Sequence, residues 1–106
     1  MTKDHPTGQS GLYQAILQLK TPEQAYRFFQ DICSYSELSA MEQRYDIAEL
    51  LAQHQIYTNI MEKTGASSAI ISRVNRVLAA PDSVLRTMLT AEPETPDGAP
   101  AASDPD

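Results

Sequence analysis

Cysteine is nearly absent from this chain. Cys33 stands alone, so no internal disulfide can form. A lone thiol without a secreted framework reads as cytoplasmic. Its ordinary role is that of a small buried hydrophobe, not a nucleophile. Histidine is scarce as well: His5 and His54 are isolated, and with one cysteine they make no metal-ligand spacing. Long apolar runs are missing. Although 42% of the residues are hydrophobic, no segment approaches the roughly 20 residues that span a bilayer. The opening MTKDHPTGQSG also lacks the apolar stretch of a signal peptide. There is no Gly-rich phosphate loop and no Ser-His-Asp arrangement. Glu37, Glu42, Asp46 and Glu49 lie along a helical segment with neither a nucleophile nor a pocket. These absences leave no basis for an enzyme, a metal centre or a membrane protein. No cofactor is expected.

Positive charge is also in short supply, but its placement is uneven. The formal net charge is −6. Residues 91–106, AEPETPDGAPAASDPD, hold five acids and no base. Residues 1–90 carry eight bases and nine acids, a net charge of −1. Between residues 55 and 80 the bases are Lys63, Arg73 and Arg76, and Glu62 is the one acid, giving +2. The acidity therefore sits mainly in the tail, and one internal window is basic.

What is present is helical patterning. The 106 residues suit one small domain. Such a domain buries a modest core, which dimerisation would enlarge. Residues 1–9 read as a disordered arm and residues 91–106 as a disordered acidic Pro/Ala-rich tail with too little to bury. Residues 10–90 read as one helical domain. In SGLYQAILQLK, Ser10 caps a helix whose Leu12, Ile16 and Leu19 share a face. In TPEQAYRFFQDIC, Thr21 is an N-cap, Pro22 takes the first helical position and Gln24 completes a capping box. Tyr26, Phe29 and Cys33 fall on one face and Phe28 and Ile32 on the next, a width that implies burial on two sides. The longest helix, SELSAMEQRYDIAELLAQHQ, is expected to be capped by Ser36. Leu38, Met41, Tyr45, Ala48 and Leu51 or Ala52 form its apolar stripe. A short helix, YTNIMEKT, a TGAS turn and a second helix to about Leu78 follow. Pro81 is expected to start a last helix carrying Val84, Leu85, Met88 and Leu89.

Two short helices joined by a glycine-containing turn make a helix-turn-helix. Residues 57–78 fit it. Ile60 is the apolar residue of the first helix, and Gly65 supplies a positive-φ turn position. Ser67 caps the second helix, and Ile71 and Val74 lock it to the first. Thr58, Ser67, Ser68, Ala69, Ser72, Arg73 and Arg76 are then free to meet double-stranded DNA. Small side chains let the backbone approach, serines and the helix start bind phosphate oxygens, and arginines bind phosphates or guanine edges. A solvated face on a structural hairpin is the plainer alternative for the same pattern.

KTGASSAIISRVNRVL closely resembles the ETGASTATISRVNR signature of the Trp-repressor-like family of small bacterial helix-turn-helix proteins, the YerC/YecD group. The stretch LYQAILQLKTPEQAYRFFQDICSYSELSAMEQRYDIAELL resembles the N-terminal half of that family in the same order, so the likeness covers about residues 12–78. AAPDSVLRTML resembles the last helix of Trp repressor. The resemblance implies an all-α, six-helix fold with a helix-turn-helix in an intertwined homodimer. It implies a transcription regulator, a repressor reading a near-palindromic operator through successive major grooves. The half-sites of helix-turn-helix dimers, Trp repressor included, lie about 34 Å apart.

Trp repressor holds its amino acid between two arginines, and Arg44 and Arg73 match them. Ile70 replaces a pocket threonine and Val74 a glycine, adding apolar bulk where an indole would sit. Arg44, Ile70, Arg73 and Val74 thus read as a vestigial effector pocket. L-Tryptophan is not expected as corepressor, and no other small-molecule effector is identified. Arg44 reads as an ion-pair residue near Asp46 or Glu49. Two further departures stand out. Met61 replaces the alanine usual at the crossing of the two helices, and Ile56 replaces a threonine cap. The alternative function is a dimeric protein-interaction module whose helix-turn-helix binds no DNA, motivated by the low positive charge and the acidic tail.

Overall fold

A computed structural model describes residues 10–90. The expected arm and tail lie outside the described residues. Among the described residues there are six helices and no strand: α1 (Gly11–Ile16), α2 (Pro22–Ile32), α3 (Tyr35–Ala52), α4 (Tyr57–Thr64), α5 (Ser68–Ala79) and α6 (Val84–Thr90). No described helix is long and apolar enough to cross a membrane. The chain divides into two compact units after Glu42, part-way along α3.

In the N-terminal unit the local signals are explicit. Ser10 Oγ accepts a hydrogen bond from the Leu12 N–H at 3.2 Å and starts α1. That helix stops at Ile16, so Leu19 falls in the connection and not on the helical face its spacing suggested. Thr21 Oγ1 accepts from the Gln24 N–H at 3.0 Å. The Gln24 amide oxygen reaches back to the Lys20 N–H at 2.8 Å, one residue before the cap itself. Phe28 and Phe29 meet edge to face with ring centroids 5.2 Å apart, a favoured aromatic geometry. Cys33 is half-buried at the end of α2. The expected Ser36 cap of α3 is corrected to Ser34. Ser34 Oγ accepts from the Glu37 N–H at 3.1 Å, and the Ser34 N–H donates to Glu37 Oε1 at 2.8 Å. Ser34-x-x-Glu37 is a complete capping box, and it places Ser36 inside the helix. No residue between 10 and 42 is buried.

The C-terminal unit contains the core. Ile47 and Ala48 of α3, Ile60 of α4, Ala66 of the turn and Ile71 and Val74 of α5 form one buried cluster. Leu50, Leu51, Tyr57, Leu78, Leu85 and Leu89 pack around it. Ile47 is fully buried although the expected stripe of α3 passed over it, whereas Met41 and Tyr45, which the stripe included, are exposed. Ala48 and Leu51 of the expected stripe do pack, and Ile47 and Leu50, three apart, widen the packed face by one residue on its other side.

Two residues beyond the end of α3, His54 has φ 65°. The His54 N–H donates to Leu51 O at 2.9 Å and the Gln55 N–H to Leu50 O at 3.0 Å. This is a Schellman cap with histidine in the position that glycine usually holds. α6 begins at Val84 and not at Pro81. Ser83 is its cap, accepting from the Arg86 N–H at 3.0 Å, and Pro81 lies in the preceding turn. Leu85 and Leu89 face the core, while Val84 and Met88 are exposed.

Candidate nucleic-acid interface

The interface is built from the turn outward. Gly65 adopts φ 75° and ψ 7°, the left-handed conformation, and its N–H donates to Met61 O at 2.8 Å. A Cβ there would meet no atom within 4 Å, so glycine is required by backbone conformation and not by space. The Thr64 hydroxyl donates to Ile60 O at 2.8 Å and accepts from the Ala66 N–H at 3.1 Å. Ala66 is buried in the core directly after the glycine. From α3, the Gln43 side-chain amide donates to Thr64 O at 3.0 Å. The C-terminal end of α4 is thus satisfied by a glycine cap, a threonine hydroxyl and a glutamine from another helix. Ser67 Oγ then accepts from the Ile70 N–H at 3.2 Å and starts α5. The connection between α4 and α5 is three residues, Gly65 to Ser67.

α5 is amphipathic in a way that leaves one face free. Ile71 and Val74 are buried and Leu78 packs beside them. Ser67, Ser68, Ala69, Arg73 and Arg76 are exposed, and Ser72 is half-buried. Spacings of four and three place Ser68, Ser72 and Arg76, and likewise Ala69, Arg73 and Arg76, along one side of the helix. Thr58 is exposed on α4. Asn75 is exposed too, seven residues after Ser68 and near the same side. The sequence reading passed over it, although an amide on such a face can pair with an adenine edge. Gln43, Thr64 and Ala66 were also missed. Threonine before a helix-ending glycine is a weak local signal, and Gln43 gives none, because its partner lies 21 residues away.

The two departures behave differently. Ile56 is the N-cap of α4 and makes no side-chain cap hydrogen bond. The first turn of α4 therefore lacks one acceptor. Met61 does not fill the crossing of the two helices: it is 38% exposed, and Ile60 and Ala66 supply the buried contacts instead. Met61 lines a shallow surface depression with Ile56, Thr58, Asn59 and Glu62.

The effector-pocket residues separate into core and surface. Val74 is only 5% exposed and belongs to the core, whereas Ile70 is 37% exposed. Arg44 and Arg73 are exposed. Arg44 stands two residues from Asp46 and five from Glu49 on α3, and neither is the three- or four-residue spacing that brings helical side chains together.

Six helices, with a pair joined by a tight left-handed glycine turn and the second helix pinned by its apolar face, define a helix-turn-helix protein. The family model of the Trp repressor protein matches residues 9–92, and the chain belongs to the Trp repressor family. It is 45% identical over 67 residues to the uncharacterized protein YerC of Bacillus subtilis (strain 168), a match covering 63% of this chain and 64% of that one. Thus it spans slightly less than two thirds of that relative. The crystal structure of a TrpR-like protein from Eubacterium eligens ATCC 27750 superposes with a TM-score of 0.69 at 45% identity, covering 74% of this chain and 80% of that chain. A candidate Trp repressor from Staphylococcus aureus superposes with a TM-score of 0.70 at 37% identity, covering 74% and 79%.

Proposed function

We propose that this protein is a homodimeric, sequence-specific regulator that binds double-stranded DNA and represses by occupying a near-palindromic operator. The observation that carries the reading is the free face of α5. Ser68, Ala69, Arg73 and Arg76 are exposed on a helix whose opposite side is held by Ile71 and Val74. Ser67 and the first N–H groups of α5 suit a phosphate, and Arg73 and Arg76 suit phosphates or guanine edges. Thr58 and Ser72 border this face, and Asn75 extends it. None of these groups forms a catalytic constellation, and family membership supports a regulator rather than an enzyme.

Dimerisation is supported by the N-terminal unit. Tyr13, Leu17, Tyr26, Ile32 and Tyr35 are all more than half exposed. A second chain covering these faces supplies the burial that residues 10–42 do not find in their own chain. Sedimentation at micromolar protein should give two chains per particle, and a monomer there would remove the paired reading heads.

The regulator is proposed not to respond to tryptophan. Val74 puts a branched side chain into the core where the repressor has glycine, and Ile70 adds apolar bulk beside it. Calorimetry with L-tryptophan should give no heat of binding; micromolar affinity dependent on Arg44 and Arg73 would refute this.

The test of DNA binding is selection of bound duplexes from random oligonucleotides, followed by titration across salt. A specific site should emerge, and affinity should fall steeply with salt as phosphate contacts release counterions. Arg73→Ala and Arg76→Ala should each weaken binding by about tenfold or more and lower the salt slope by about one if the contact is to phosphate. Unchanged binding in both variants would show that α5 is not the reading element. The exposed apolar pair of Ile56, the N-cap of α4, and Met61 within it favours a second reading, a dimeric module that engages a protein. That reading predicts no salt-sensitive DNA binding and capture of a protein partner that depends on residues 68–76.

A further inference from the structure

We propose that residues 91–106 dock on the basic face of their own chain's helix-turn-helix and compete with DNA for it. This rests on the DNA-binding reading above and adds a regulator to the same site. Two observations carry it. The first is charge. Lys63, Arg73 and Arg76 are exposed cations on α4 and α5; Glu62 beside Lys63 is the one acid on these two helices, and α5 itself has none. Residues 91–106 contain Glu92, Glu94, Asp97, Asp104 and Asp106 and no base. The chain's most acidic segment and its most basic window are therefore complementary.

The second observation is where that segment starts. α6 packs against α5, and its Leu85 and Leu89 join the core that Ile71 and Val74 occupy. α6 ends at Thr90, so residue 91 leaves from a helix seated on the buried side of the reading element, opposite its exposed face. A helix of 12 residues such as α5 is about 18 Å long. Sixteen residues follow Thr90, and at about 3.1 Å per residue for a Pro-rich sequence their greatest reach is about 50 Å. That reach exceeds the length of α5 and the helix diameter of about 10–12 Å that the segment passes to come from the packed side of α5 to its exposed side. Tethering at this range gives an effective concentration on the order of millimolar, so a weak ion-pair contact suffices to occupy the face. Such a competitor removes non-specific binding first, because that binding is almost wholly electrostatic. A specific operator, with base contacts added, displaces the tail.

The test uses the full chain with Glu92→Gln, Glu94→Gln, Asp97→Asn, Asp104→Asn and Asp106→Asn together, against the parent. Affinity is measured for a mixed-sequence duplex and for a selected operator at low and high salt. The neutralised tail should bind the mixed-sequence duplex about tenfold more tightly at low salt, with a smaller gain on the operator, and the gain should fade as salt screens both contacts. Backbone amide NMR shifts are read in the same two proteins without DNA. Neutralising the tail should move the signals of Lys63, Arg73 and Arg76, and added salt should move the parent's signals the same way. Equal DNA affinity in the two proteins overturns the proposal while leaving the DNA-binding reading intact. Tighter DNA binding with no change in those amide signals also overturns docking, because the tail would then act only by repelling DNA. If neither protein binds any duplex, the DNA-binding reading fails, and unmoved amide signals would overturn tail docking separately.

Discussion

Residues 10–42 and residues 43–90 are built from the same kinds of helix, yet only the second set makes a core. The first set holds five of the seven aromatic residues, Tyr13, Tyr26, Phe28, Phe29 and Tyr35, and buries none of them. The second has two aromatics, Tyr45 and Tyr57, and buries Ile47, Ile60 and Ile71 completely. Capping quality does not explain the contrast. The first set has three well-capped helices, and the second starts α4 without a side-chain cap and ends α3 on a histidine at positive φ. The difference is in what the apolar faces meet. Around the helix-turn-helix, β-branched and alanine side chains of α3, α4, α5 and the three-residue turn close over one another. In the first set the large side chains are spread over wide faces that one chain leaves uncovered. Large exposed apolar surface of this kind marks an interaction site.

Truncation tests the contrast most strongly. Ile60→Ala or Ile71→Ala should cost about 2–5 kcal/mol in chemical denaturation, since each side chain is fully buried. Ile32 is 55% exposed, so within one chain Ile32→Ala should cost less than about 1 kcal/mol. If a second chain covers it, the same change should cost about 2 kcal/mol and shift sedimentation toward the monomer. A small cost with unchanged association would break the comparison, because the N-terminal face would then be ordinary surface.

Smaller changes probe the backbone of the second unit. Gly65→Ala should destabilise by about 1–2 kcal/mol, the cost of a Cβ at positive φ, since nothing obstructs the added atom. Ile56→Thr should stabilise by about 0.5–1 kcal/mol by supplying the missing acceptor at the start of α4; no gain in melting temperature would show that water already satisfies that turn. His54→Gly should stabilise by about 0.5 kcal/mol, because glycine adopts the left-handed cap without strain but loses more chain entropy on folding.

Local chemistry explains which parts were legible from sequence. The Thr21 and Ser67 caps and the Gly65 turn depend on residues within four positions of one another, and each was read correctly. The Ser36 assignment failed by two residues because serines flank both sides of Tyr35, and only Glu37 reveals which serine closes the box. The α3 stripe held at Ala48 and Leu51 but failed at Met41, Tyr45 and Ile47, because a helix of 18 residues has apolar side chains on several faces and periodicity alone does not say which face is covered. Met61 was misplaced for a related reason. Adjacent residues on α4 point apart, and Ile60, not Met61, took the buried position.

The sequence alone determined the helical class, the cap and turn positions around Gly65 and Ser67, and the exposure of Ser68, Ala69, Arg73 and Arg76 on α5, because these follow from backbone conformation and spacing within one or two turns. Tertiary structure alone decided that the core lies entirely in the C-terminal unit, that Val74 is interior while Ile70 stays at the surface, and that Gln43 ties α3 to the end of α4. Those outcomes depend on contacts between residues far apart in the chain, where shape and volume select the partner and no local pattern records the choice.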